Sequence, residues 1–128
     1  MPVSMCCIST MRRLEKKDIE ILLNDTDNIK DYMLLNSLER NLIRCHGSQF
    51  IIESSDKVQY IMGFILQNNV QGLYDMYSTC FDLYMNECGG NIASSQSFNI
   101  VFSVLIHMAK KILRKSKDSN MIVVGGKS

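Results

Sequence analysis

Two histidines, five cysteines and thirteen carboxylates are the side chains in this chain that could carry chemistry, and their spacing arranges none of them for it. His107 has Met108 and Lys110 as near neighbours and no carboxylate at helical spacing, and His46 is the only other imidazole, so neither reads as a base or a ligand. Cys6 and Cys7 are adjacent, without the two-residue gap of a zinc or redox pair, and Cys45, Cys80 and Cys88 supply no second pair. Asp56, Asp75, Asp82 and Glu87 are scattered. The closing Gly125-Gly126-Lys127-Ser128 has the ending of a phosphate loop. That motif requires glycine where Met121 stands and a helix after the serine. The expectation is a protein that is not an enzyme, with no metal and no cofactor.

Composition narrows the class further. The chain has 128 residues, 46% of them apolar and 21% charged, enough for one domain with one core. A net charge of +1 argues against nucleic acid or an acidic membrane as the main partner, and Arg114, Lys115 and Lys117 read as a solvated helix end. An odd cysteine count without framework spacing, and no signal peptide, point to reduced thiols in a cytoplasmic protein. No run approaches the roughly 18 to 20 apolar residues of a membrane span, so no transmembrane anchor is expected.

Helical periods and caps then divide the chain. Residues 1–8 have no helical period and read as a flexible lead-in, 9–116 as the helical domain and 117–128 as a flexible tail. Ser9 or Thr10 can cap a first helix reaching Asn24, with Met11, Leu14, Ile19, Leu22 and Leu23 on one side. Asn24-Asp25-Thr26-Asp27 offers the next cap. A second helix then runs over residues 28–44, its apolar positions recurring at three- and four-residue steps, and Gly47 closes it. Residues 49–52 read as a short helical turn or extended connector, after which Ser54-Ser55-Asp56 caps a helix over 57–67. Asn68-Asn69-Val70-Gln71-Gly72 forms a corner, and a further helix covers 73–85. Both helices of this pair are apolar on most faces, which places them at the centre of the bundle. After Gly89-Gly90, Ser94 or Ser95 starts a last amphipathic helix to about Lys115, whose basic end complements the helix dipole. The fold class expected is all-α, amphipathic helices around a buried central helical hairpin.

The hairpin carries more aromatic and methionine side chains than packing needs. Most are core. Tyr60, Phe64, Met76, Tyr77 and Cys80 could also line a groove for an amphipathic partner helix, for which methionine and aromatic residues are suited.

At the corner the chain resembles the Bcl-2 family of apoptosis regulators, which wrap amphipathic helices around a buried hairpin. The family's first homology motif, Asn-Trp-Gly-Arg, corresponds to Val70-Gln71-Gly72-Leu73, flanked on both sides by apolar helices as in the family. Residues 33–44 resemble the helix of the third motif, with Leu34-Leu35-Asn36-Ser37-Leu38-Glu39 in place of Leu-x-x-x-Gly-Asp, and residues 95–113 resemble the helix after the hairpin. Gly72 is the one identity in the first motif. The tryptophan-bearing second motif and the hydrophobic tail have no counterpart. The resemblance, closest to compact viral members, implies a Bcl-2-like bundle that blocks apoptosis. It would sequester the amphipathic death helix (BH3) of pro-apoptotic, Bim-like proteins, in the cytoplasm or at mitochondria through those partners. The implied groove is Phe50, Ile52, Tyr60, Phe64, Val70, Gly72, Leu73, Met76, Tyr77 and Cys80. Leu73 stands where the family has an arginine that pairs with the ligand's aspartate, so a narrow ligand range is expected unless Arg40 or Arg44 substitutes. Leu73→Arg would then strengthen binding. Leu38, too bulky for close helix packing, makes the chain a receptor rather than a ligand.

Two other readings remain open. A Bcl-2 fold can modulate inflammatory signalling by binding adaptor proteins through another face, with its groove closed by its own side chains. Alternatively, a helical interaction protein could spend the apolar excess on a homodimer interface.

Overall fold

The structure, a computed structural model, describes residues 13–24 and 29–127, with side chains as far as Ser116. Every regular element among the described residues is a helix: α1 (Lys16–Asn24), α2 (Ile29–His46), α3 (Gln49–Leu66), α4 (Val70–Glu87) and α5 (Ile92–Lys127). The fold is all-α. The expected lead-in, the Ser9 or Thr10 cap, the Cys6-Cys7 pair and the Asp25-Thr26-Asp27 cap lie outside the described residues.

α1 starts later than its apolar period suggested. Arg13-Leu14-Glu15 is non-helical, and the buried Asp18 carboxylate accepts a hydrogen bond from the Glu15 backbone N–H at 2.9 Å. That side-chain bond satisfies a donor the start of the helix leaves open. α2 matches its sequence reading within two residues and ends at Gly47, whose φ of 65° needs no Cβ. α3 then begins at once. It absorbs the uncertain residues 49–52, so Ser54 and Ser55 lie inside a helix rather than capping one. Their hydroxyls donate to the carbonyls of Phe50 and Ile52, the local back-bonding that lets serine sit mid-helix.

The corner between α3 and α4 follows its residue types. Asn68 takes the left-handed backbone (φ 49°), and the Asn69 side chain caps α4 by accepting the Gly72 N–H at 2.9 Å. At the next break Asn91, rather than Ser94 or Ser95, performs the cap, its Oδ1 accepting the Ser94 N–H at 2.7 Å. The helical backbone of α5 continues past Lys115 to Lys127.

The centre of the bundle is α5, not the α3–α4 hairpin. α5 packs against each of α1 to α4, and every residue from 102 to 109 is buried. α3 buries only Ser54, Val58 and Ile61, and α4 only Leu73, Tyr77 and Phe81. Lys57 and Gln59 on α3, and Asp75 and Asp82 on α4, keep an outer face in water, whereas residues 100–109 of α5 hold only Ser103 and His107 as polar side chains. Those two, with Ser95 and Asn99, form a buried stripe at four-residue steps, and burial is tolerated because partners are supplied. Tyr77 Oη donates to Asn99 Oδ1 (2.7 Å) and accepts the Leu14 N–H (2.9 Å), and Ser103 Oγ donates to the Asn99 carbonyl (2.9 Å). The stretch Ile92–Ser116 is long and apolar enough to cross a bilayer by length and composition, with mean hydropathy 1.3. Half of that window is buried in the bundle, and the core helix of a globular protein meets the same criterion.

Candidate functional site: a cleft between α3 and α4

Side chains of α3 and α4 line a cleft whose two halves share Lys57 and Cys80. One half, about 580 Å³, is lined by Lys57, Tyr60 and Phe64 of α3 and by Gly72, Asp75, Met76, Thr79 and Cys80 of α4. The other, about 470 Å³, is lined by Phe50, Glu53, Ser54 and Lys57 of α3 and by Cys80, Tyr84 and Glu87 of α4. Phe98, Val101, Phe102 and Leu105 of α5 form its floor. From Phe64 to Phe50 at 1.5 Å per residue the cleft is about 21 Å long, the length of a four-turn helix.

The helical period explains the lining. Residues 50, 53, 57, 60 and 64 repeat at three- and four-residue steps on one edge of α3, as do 72, 76, 80, 84 and 87 on α4. Rings stiffen the floor: Phe98 lies 5.5 Å from Phe81 and 5.4 Å from Tyr84, and Tyr77 and Phe102 meet edge-on at 5.2 Å. Gly72 sets the shape of the other end. A Cβ there would lie 2.5 Å from Phe64 Cε1 and 2.8 Å from Cδ1, so the missing methyl is what seats the Phe64 ring against α4.

Of the ten residues expected in the groove, Phe50, Tyr60, Phe64, Gly72, Met76 and Cys80 line this cleft. Four do not. Leu73 and Tyr77 are fully buried in the core, because they fall one residue past Gly72 and Met76 and so turn toward α1 and α5. Val70 packs partly buried against the same core, and Ile52 is 64% exposed and outside the cleft lining. The close approach at Gly72 is to the protein's own Phe64. Leu73 cannot meet a ligand where the family's arginine would. Arg40 and Arg44 on α2 are exposed and outside the cleft, and Arg44 reaches Asn41 (3.4 Å). Lys57 is the one cation of the lining. Sequence reading missed Glu53, Ser54, Lys57, Asp75, Thr79, Tyr84 and Glu87, and the whole α5 floor. The four-residue period from Met76 and Cys80 leads to Tyr84, and from Tyr60 and Phe64 back to Lys57 and Glu53.

His107 is buried where α5 meets α2. Burial, with Lys111 nearby, holds His107 down at about 4 against the partial pull of Glu39. Its Nε2 lies 3.1 Å from Asn36 Oδ1, which also accepts from Lys111 Nζ at 2.9 Å. Burial and the Cys88 thiol raise the Tyr84 phenol above its usual range, so it stays protonated in the cleft. Cys45, Cys80 and Cys88 are free thiols, and among the described residues no cluster of histidine, cysteine and carboxylate could hold a metal ion. The side chains of Gly125-Gly126-Lys127-Ser128 lie outside the described residues.

Comparison with protein-family models, curated proteins and solved structures gives no match.

Proposed function

We propose that this protein is a helix-in-groove receptor: the α3–α4 cleft takes the apolar face of an amphipathic partner helix and holds it away from other partners. The observation that carries this reading is a cleft about four helical turns long, lined by the half-buried Phe50, Phe64, Met76 and Phe98 and by exposed charged side chains. Four apolar anchors at three- and four-residue steps fill such a length. The resemblance supplies the ligand class, the death helix of pro-apoptotic proteins, and with it an anti-apoptotic role. The apolar anchors would dominate affinity, because the residue corresponding to the family's arginine is buried.

Isothermal titration of the full chain with a panel of death-helix peptides, beginning with that of Bim, tests this. Submicromolar affinity for at least one peptide, lost on Met76→Glu with an unchanged far-UV helical signal, is the expected result. No heat with any peptide, from a folded and helical protein, would overturn it.

A further inference from the structure

Resting on that receptor reading, we infer that the cleft selects its partner by charge order: it fits a helix with one acidic side chain at its middle and basic side chains about one turn to either side. The inference comes from where the rim charges stand. Lys57 sits at the waist, where the two halves of the cleft meet. Asp75 flanks one half, and Glu53 and Glu87 flank the other. Glu53 is one turn, about 6 Å, from Lys57 along α3, and Asp75 lies a similar rise from the Thr79–Cys80 level that faces the waist. The cleft therefore presents minus, plus, minus along its length.

Among the described residues none of these charges has an ion-pair partner. The Glu53 carboxylate accepts from the neutral Gln49 amide (3.1 Å), and the Asp75 carboxylate from the neutral Gln71 amide (2.8 Å). Glu53 and Lys57 have the spacing of a helical ion pair, yet no ion pair forms between them. An apolar stripe alone cannot tell one amphipathic helix from another. A reversed charge order juxtaposes like charges at three points and so rejects the wrong partner. Because all four rim side chains are exposed, the effect is one of selectivity and encounter rate, and salt should weaken it.

The probes are three synthetic helical peptides of about 16 residues with one shared apolar stripe. The first carries aspartate at the centre with lysines one turn away. The second has lysine at the centre with glutamates, and the third has glutamine throughout. Titrated into the full chain at low salt, the first should bind about tenfold tighter than the second, with the third between, and the gap should close in high salt. Lys57→Glu, an exposed change that leaves the fold intact, should reduce the preference for the first peptide, and exchanging only that peptide's central aspartate for lysine should restore affinity. Equal binding of all three peptides would overturn the charge-order inference and leave the receptor reading standing. Binding of none would overturn both.

Discussion

Gly72, Met76 and Cys80 on one side of α4, and Leu73, Tyr77 and Phe81 on the next, are two apolar stripes one residue apart with opposite fates. The second stripe is buried against α1 and α5 and anchors the core. The first lines a cleft about as long as a partner helix. Residue type does not separate them, since methionine and tyrosine serve either purpose. The separation comes from which neighbour is present: the core covers one stripe, and the other faces the cleft shared with α3.

The contrast is broken most severely at Leu73. Leu73→Arg installs the residue the family carries, but at a fully buried position it strands a guanidinium in the core, which costs about 4 kcal/mol or more. We expect loss of the cooperative thermal transition, not tighter binding. Met76→Arg, three residues on and facing the cleft, should shift stability by about 1 kcal/mol or less while abolishing peptide binding. Equal destabilisation of the two variants, read by urea unfolding, would show that the faces are not distinct.

A second test belongs to the core side alone. His107 titrates near 4 when folded and near 6.5 when unfolded, so between those values the unfolded chain binds more protons. Stability is complete above about pH 6.5, and about 3 kcal/mol is lost as pH falls toward 4. His107→Gln should flatten that slope in urea titrations across this range and leave peptide affinity at neutral pH unchanged.

On the cleft side, Gly72→Ala must displace the Phe64 ring, so affinity for a bound helix should fall about tenfold, roughly 1.4 kcal/mol, with helix content retained. The smallest effect is expected at Asp82, whose carboxylate meets Arg13 at 2.6 Å on the surface. Asp82→Asn should cost about 1 kcal/mol at most, because solvent screens an exposed pair.

Much of the fold was legible in the chain. Helical periods and caps located the five helices of the described residues, apart from the first two turns of α3, and Gly47 and Asn68-Asn69 marked two of the breaks, because these signals are local. Ser54 and Ser55 misled, since a serine hydroxyl can cap a helix or bond back inside one, and only the continuous α3 decides between them. The central helix was misassigned for a related reason. Serine, asparagine and histidine at 95, 99, 103 and 107 look like a solvated edge until Tyr77 and Asn36 supply their partners. In the candidate site, six of the ten residues expected from spacing fall in the cleft, and the floor that α5 supplies was not expected. Leu73 and Tyr77 escaped because a helical wheel gives faces, not neighbours. Lys57 and Glu53 escaped because an apolar search passes over charges.

The most direct test of the two-faced α4 uses the methionine methyl groups as reporters. Met76 lies in the cleft, Met108 in the core and Met33 on the exposed face of α2. With the chain carbon-13 labelled at methionine methyls and titrated with the Bim peptide, we predict that the Met76 signal shifts and saturates while those of Met33 and Met108 stay in place. A saturating shift at Met33 with Met76 unmoved would put the binding surface on α2 and contradict the account.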